Sequence, residues 1–149
     1  MKNLFESGRV KLVEIIRTGK KQTPSNLILH GFDLDDGNPT RIIAAESGTV
    51  AFAGRLDDCR NRHYGVHVRI RSDSDPSREI IYYGMAVKRV KTGESVRKGT
   101  PIGYSDEGRL CVEVRYNGRR VDALAELGIP AVIGEPFSVG SPILLPTRR

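Results

Sequence analysis

The stretch IIYYGMAVKRVKTGESVRKGTPIGYS, residues 80–105, decides the fold class of this chain. It contains short runs of β-branched and aromatic residues that are separated by glycine and proline, a pattern typical of antiparallel strands joined by tight turns. The same pattern extends outward over most of the sequence. It predicts strands near residues 9–17, 26–34, 41–54, 65–73, 78–90, 100–104 and 110–116. We therefore expect a mostly β protein, a single domain of antiparallel β-sheets with little helix.

Two of the predicted strands show which side chains face the core. In GVHVRIR, residues 65–71, Val66, Val68 and Ile70 alternate with a histidine and two arginines. Successive side chains of a strand point to opposite faces, so this alternation predicts one buried and one polar face. The strand near 110–116 alternates in the same way and ends at Asn117-Gly118, a pair that favours a hairpin.

The chain has the length of one domain, with 149 residues. A helical turn is predicted only at residues 123–127, where Gly128 stands in a C-cap position. We assign residues 1–133 to the β domain. Residues 134–149 include three prolines, which cannot donate a hydrogen bond within a central strand, and we expect them to form an extended C-terminal arm.

The charge balance bears on the class of partner. The chain carries 24 Lys and Arg against 18 Asp and Glu, a formal net charge of +6, which favours anionic partners. The basic residues are interleaved with acidic ones instead of grouped with stacking aromatics, so nucleic acid is not favoured as a partner. The two cysteines, Cys59 and Cys111, form no CxxC pair and indicate neither a disulfide framework nor a zinc finger.

No targeting segment is predicted. The N-terminal sequence MKNLFESGRVKLVEII is interrupted by charges before an apolar run reaches the length of a signal peptide. No segment approaches the roughly 20 apolar residues of a membrane span. We expect cytoplasmic synthesis without a cleaved leader, and arrival outside a cell only by another route, such as incorporation in a virion.

Five segments stand in a characteristic order. They are LHGFDL (29–34), RIIAAESGTVAFAG (41–54), HYGVHVRI (63–70), the stretch 80–105, and GRLCVEVRYNGRRVD (108–122). In this order they resemble the lysostaphin-like, or LytM-type, zinc endopeptidases, which cleave peptidoglycan: the first resembles the family's HxGxD, the fourth contains its YxH position, and the last resembles its HLHFEV. Gly93, Gly99 and Gly103 coincide with the turn glycines of that family. The resemblance implies the lysostaphin-like fold, also called a duplicated hybrid motif.

The resemblance also implies where an active site would lie. Family members hold one zinc ion through the His and Asp of HxGxD and the second His of HxH, and two further histidines assist the reaction. Ungapped alignment gives Leu29, Asp33 and Cys111 at the ligand positions, and Gly84 and Arg109 at the other two. Glycine has no side chain to carry a proton, and arginine stays charged at any working pH. We expect a degenerate metallopeptidase site with no retained catalytic residue and no cofactor.

A rebuilt zinc site is the alternative. His30, Asp33 and Cys111 form an acceptable ligand set for Zn²⁺. His30 lies one position from the expected ligand, and a shift of one residue along a strand turns a side chain to the other face, so a bulge would be needed. In the competing interpretation Cys111 is a buried structural residue packed beside Leu29, and Asp33 caps its own acidic loop.

The remaining side chains would line the groove of the former site. One of the two tyrosines before Gly84 should face the core and the other the groove. Arg109 is expected to form an ion pair with Glu113 or Asp33 in place of the metal charge. His67 is expected to face solvent or to be hydrogen bonded. The predicted groove residues are Asp33, Tyr82, Tyr83, Arg109, Cys111 and Glu113.

These observations leave two main functional hypotheses and a weaker third, a basic domain that associates with nucleic acid. The first is a non-catalytic structural or binding domain that holds a protein partner or a peptidoglycan-like ligand, as a subunit of a phage virion or tail or of a cell-wall assembly. The second is a divergent zinc-dependent peptidoglycan endopeptidase that uses the rebuilt His30, Asp33 and Cys111 site.

Overall fold

The computed structural model describes residues 2–32, 40–55, 65–105 and 107–138. Within these residues the chain forms eleven strands and one short helix. In chain order they are β1 (Arg9–Thr18), β2 (Thr23–Phe32), β3 (Arg41–Ile43), β4 (Gly48–Arg55), β5 (Val66–Ser72), β6 (Arg78–Lys88), β7 (Ser95–Val96), β8 (Pro101–Ser105), β9 (Arg109–Tyr116), β10 (Arg119–Arg120), α1 (Ala123–Leu127) and β11 (Phe137–Ser138).

The strands form one sheet system. Its main path runs β11-β1-β2-β9-β6-β5-β4-β7, while β8 joins β6 to β3 and β10 pairs with β9. Every ladder between these named strands is antiparallel. The predicted fold class, a mostly β domain of antiparallel sheets with little helix, is confirmed.

The central strands β2 and β9 show how the sequence pattern positions the core. Leu110, Val112 and Val114 of β9 are buried, as are Leu27 and Leu29 of β2. Alternate residues of a strand lie on one face, so these leucines and valines turn one side of the sheet inward. Burying this apolar surface stabilises the fold and leaves the intervening residues on the opposite face.

The single strand predicted near residues 41–54 is in fact two strands. β3 pairs with β8, whereas β4 pairs with β5 and β7, so the chain changes ladder between them. The Ala44 N–H bonds to the Thr100 carbonyl, and the Ala45 N–H to the Tyr82 hydroxyl at 2.9 Å. These bonds replace the ladder bonds of a continuous strand, a non-local effect that local periodicity does not reveal.

Two of the three glycines assigned to turns lie in turns. Gly93 and Gly99 have φ values of 92° and 90°, in the left-handed region that favours glycine. Gly103 instead lies within β8, where a Cβ atom would be 2.3 Å from the Val87 carbonyl oxygen and 2.2 Å from the Met85 Cε. Close approach of β6 to β8, and not a turn, therefore requires glycine at this position.

The predicted hairpin and helical turn are both confirmed. Asn117 and Gly118 have φ values of 50° and 79°, as in the two-residue turns that join hairpin strands, and they link β9 to β10. α1 follows directly. Asp122 caps its N-terminus by accepting a backbone N–H bond at 3.1 Å, and Gly128 ends it in the left-handed conformation.

The C-terminal segment runs beside β1. β11 pairs with Arg9 and Val10, and an isolated bridge joins Leu12 to Ile133. The predicted division between a domain at 1–133 and an arm at 134–149 stays a prediction, and residues 139–149 lie outside the described part. None of the helices in the described ranges has the length and apolar character needed to cross a membrane.

Candidate functional site

The candidate site lies on the face of the sheet opposite the core. Direct cross-strand partners share a face. His30 pairs with Arg109, Ile28 with Cys111, and Asn26 with Glu113. Toward the other side, Cys111 pairs with Tyr83 and Glu113 with Ile81. We call this surface the groove face; it comprises Asn26, Ile28, His30, Ile81, Tyr83, Arg109, Cys111 and Glu113, together with His67 and Arg69 of β5.

His30 reaches the groove face without a bulge in the β2–β9 ladder. The regular pairs Leu29–Leu110 and His30–Arg109 put Leu29 in the core, fully buried, and His30 on the same side as Cys111. The expectation that His30 would need a bulge to turn inward is therefore wrong. Ungapped alignment gave Leu29 for the ligand position, but a leucine facing the core cannot take part in a site on the opposite face.

Cys111 lies on the groove face and not beside Leu29. Its direct partner on β2 is Ile28. His30 is a diagonal neighbour, and diagonal neighbours on adjacent strands lie roughly 7–8 Å apart. Burial raises the pKa of the Cys111 thiol to about 11, although a hydrogen bond with Asn26 acts in the opposite direction. The thiol is therefore protonated near neutral pH, and a metal ion would have to displace its proton.

The other member of the alternative zinc set, Asp33, lies outside the described residues. In the part of the chain that is described, no three His, Cys, Asp or Glu side chains are close enough to hold a metal ion. The family positions themselves do not fit zinc, because Leu29 faces the core and Arg109 places a fixed positive charge two residues from Cys111. The assignment of Asp33 to the groove therefore stays a prediction.

Glu113 anchors the polar part of the groove face. Its carboxylate is buried, with 1% exposure. It accepts hydrogen bonds from Asn26 Nδ2 at 2.9 Å, from Arg120 Nε at 3.1 Å and from Arg115 Nε. The expected ion pair between Glu113 and Arg109 is not formed. Arg109 is exposed and makes no ion pair with any residue in the described ranges, because the hairpin β9–β10 supplies closer cations.

The two tyrosines separate as expected. Tyr82 is fully buried in the core, where desolvation raises its pKa and its hydroxyl accepts the Ala45 N–H. Its assignment to the groove is therefore wrong, because it pairs with the core residue Val112. Tyr83 lies on the groove face at 5% exposure, with its ring centroid 5.4 Å from that of His67.

Gly84 occupies a bulge in β6. Val66 pairs with Met85 and Val68 with Tyr82, so Tyr83 and Gly84 together oppose the single residue His67. The φ of Gly84 is 75°, which is typical of the glycine in one type of β-bulge. The position of the missing YxH histidine therefore carries no side chain, and it lies across from the imidazole of His67.

His67 was missed as a groove residue. It is 2% exposed and stacks on Phe52 with ring centroids 4.6 Å apart, so the expectation that it faces solvent is wrong. Its Nδ1 atom has no hydrogen-bond partner in the part of the chain that the structure describes. Burial lowers the pKa of His67, and the charges of Arg69 and Arg115 lower it further, so the ring is neutral at pH 7. The alternation in GVHVRIR already put His67 on the side opposite the core valines.

Known structures share this architecture. Lysostaphin from Staphylococcus simulans matches with a TM-score of 0.61 at 14% identity, over 86% of this chain and 54% of that chain. A chain from the complex of SpoIIIAH and SpoIIQ matches with a TM-score of 0.56 at 19% identity, over 85% of this chain and 97% of that chain. The putative M23 peptidase from Pseudomonas aeruginosa matches at 20% identity with a TM-score of 0.55, over 79% and 49% of the respective chains.

These likenesses establish the fold. The chain spans about half the length of the whole lysostaphin chain. No curated protein sequence matches this chain. The sequence model of peptidase family M23, however, matches residues 28–123, which contain β3 to β10, the second half of β2 and every groove-face residue except Asn26. This match covers well over half of the chain, and the protein therefore belongs to peptidase family M23.

Proposed function

We propose that this protein is a non-catalytic member of family M23 that binds a protein partner or a peptidoglycan-like ligand. The observation that carries the proposal is the content of the two proton-handling positions. Gly84 has no side chain, and Arg109 is an exposed, permanently charged guanidinium. General acid–base catalysis needs a group that can exchange a proton near the working pH, and neither position offers one.

His67 does not replace the missing histidine. It lies opposite Gly84, but its ring is 2% exposed and stacked on Phe52, so a bulky substrate has no access to it. A general base must come within hydrogen-bond reach of the proton that it removes. The packing of His67 therefore supports a structural role and strengthens the case against hydrolysis.

Partner binding is supported by the similarity to a chain found in the SpoIIIAH–SpoIIQ complex, which matches over 85% of this chain. That structure contains a fold of this shape in contact with another protein. A sheet face whose catalytic groups have been replaced still offers area for contact with another molecule. Such a face is suited to recognition, because binding needs complementary shape and charge and does not need a reacting group.

The test of the non-catalytic assignment is a peptidoglycan cleavage assay. The purified protein would be incubated with insoluble peptidoglycan in the presence of zinc and, in parallel, of a chelator, with lysostaphin as the active reference. We expect no release of soluble fragments by this protein under either condition. Release that needs zinc and is lost in Cys111→Ser would overturn the proposal.

A second candidate is a zinc endopeptidase with the rebuilt site. The observation in its favour is that His30 and Cys111 are diagonal neighbours on one face. Elemental analysis of the purified protein tests it, with His30→Ala, Asp33→Ala and Cys111→Ser as variants. About one zinc per chain that is lost in all three variants would establish the site. Absence of bound zinc after dialysis against the metal would eliminate it.

The place of action is a separate and finer hypothesis. If the protein belongs to a phage particle or a cell-wall assembly, it should co-sediment with that particle or with wall fragments after extensive washing. A protein that remains entirely in the soluble fraction would contradict both versions.

A further inference from the structure

Several arginines share one end of the groove face. Arg71 pairs with Glu79, and Glu79 pairs in turn with Arg115, so the three side chains lie on the same side of the sheet. Arg69, two residues from Arg71 on the same strand, lies on this side as well. Arg120 of β10 pairs with Arg115. We call Arg69, Arg71 and Arg115 the arginine patch.

Carboxylates of the sheet neutralise this region only in part. Glu113 is committed to Arg115 and Arg120, which it holds through direct hydrogen bonds. Among the described residues, neither Arg69 nor Arg71 has a carboxylate within ion-pair distance. Glu79, the cross-strand partner of both Arg71 and Arg115, adds a second carboxylate. Among the described residues two carboxylates thus stand beside four arginines, and an excess of positive charge remains at this end of the face.

Unsatisfied hydrogen-bonding atoms are concentrated at the same place. Arg69 Nε and His67 Nδ1 are both buried, have no hydrogen-bond partner within the described ranges, and lie on the same face of β5. Buried polar atoms without partners are costly, particularly on a charged group. His67 itself is 2% exposed. The buried Nε of Arg69, which lies beside an excess of arginine, indicates that an anionic ligand completes the arrangement.

We propose that the arginine patch binds a carboxylate-bearing, acidic segment of a protein partner. The planar fork of a guanidinium matches the two oxygens of a carboxylate and forms strong, charge-assisted hydrogen bonds with it. Arg69 supplies its unpartnered Nε–H, and Arg71, which is exposed, meets the segment at the rim. This inference rests on the proposed binding function and specifies the chemistry of the partner.

The probe is a fluorescent hexaglutamate peptide with blocked termini, titrated with the full chain at 150 mM salt and followed by anisotropy. Hexaglutamine and inorganic phosphate are the comparison ligands. The variants are Arg69→Gln and the exposed Arg71→Gln, with Arg97→Gln as the control that removes the same charge from an exposed position between β7 and β8. Nitrogen-15 NMR of the arginine Nε–H groups reports which side chain contacts the ligand.

We expect Arg69→Gln to weaken hexaglutamate binding about tenfold, as loss of one charge-assisted hydrogen bond implies. Arg71→Gln should weaken it less and Arg97→Gln least, because screening limits the effect of a distant exposed charge. The Arg69 Nε–H resonance should shift on saturation. Because Arg71 is exposed, its variant remains informative if Arg69→Gln fails to fold.

Three results would overturn the proposal. Equal weakening by Arg71→Gln and Arg97→Gln would mean that only the general field of the protein attracts the peptide. Phosphate that binds as tightly as hexaglutamate would mean that the patch takes a free anion. A complete lack of hexaglutamate binding would exclude an acidic partner at this face. None of these results bears on catalysis, which the peptidoglycan assay decides separately.

Discussion

The imidazole of His67 stacks on the ring of Phe52, with centroids 4.6 Å apart and an interplanar angle of 26°. This packing holds a titratable group in the interior of the protein. Burial lowers the pKa of His67 from its ordinary value of 6.5, so the unfolded chain binds a proton more readily than the folded one. The contribution of His67 to stability is therefore complete above pH 6.5 and is lost as the pH falls toward its folded-state pKa.

We predict that the free energy of unfolding decreases between pH 6.5 and pH 5 by at most about 1.4 kcal/mol per pH unit through this one group. His67→Phe keeps an aromatic ring against Phe52 and removes the proton-binding site, so it should flatten this part of the profile. Urea unfolding at several pH values measures the effect. A His67→Phe profile parallel to that of the parent protein would refute the assignment.

Glu113→Gln should destabilise the fold. The buried carboxylate of Glu113 holds Arg115 and Arg120, and the amide would leave two guanidinium groups without their counter-charge. We expect a loss of about 2 kcal/mol in the free energy of unfolding. Glu14→Gln is the matched control, since it removes an exposed charge from the same face. Equal losses in the two variants by chemical denaturation would show that the network around Glu113 contributes nothing specific.

The Cys111 thiol should react slowly in the native protein. Its pKa is raised from 9.0 to about 11 by burial, which lowers the thiolate fraction at pH 8 roughly 100-fold. The measurement is the rate of reaction with a disulfide reagent, made in a Cys59→Ser background so that one thiol remains. Unfolding in guanidinium should restore the ordinary rate. A fast native reaction would contradict the buried, protonated thiol described for the groove face.

Gly103→Ala should destabilise the fold for steric reasons. A Cβ atom at this position would lie 2.3 Å from the Val87 carbonyl oxygen, so β6 and β8 would have to separate. Overpacking of this kind costs about 1–3 kcal/mol. Gly118→Ala is the comparison, because its φ is 79° and an added Cβ would have no atom of the described residues within 4 Å, so it tests backbone conformation alone. If thermal and urea denaturation gave Gly103→Ala a smaller loss than Gly118→Ala, the close approach would be disproved.

The fold class was predictable because it depends on local signals. Three features are each encoded by a few consecutive residues, and the structure contains all of them. They are the alternation in residues 65–71, the Asn117-Gly118 turn and the capped helix at Ala123–Leu127. The two-residue strands β7, β10 and β11 were not predicted, since two residues show no periodicity. The change of ladder at Ala44 depends on a distant partner, Thr100, and leaves no local signal.

The candidate site was less predictable, because sites depend on register. Motif alignment gives positions along the chain, and it put Leu29 where a ligand was expected, whereas the β2–β9 register puts His30 on that face. The partners of Glu113 could not be inferred either, since Arg120 reaches it only after the hairpin closes. Whether His30, Asp33 and Cys111 hold zinc stays a prediction for elemental analysis.

The short pairing of β11 with β1 has a consequence for where the chain can be shortened. Phe137 and Ser138 cover the backbone of Arg9 and Val10, and the Gly134 N–H bonds to the Leu12 carbonyl. A chain that ended at residue 133 would lose these bonds and leave the N-terminal part of β1 as a bare strand edge. Exposed strand edges pair with one another. We therefore expect residues 134–138 to protect this edge of the domain against self-association.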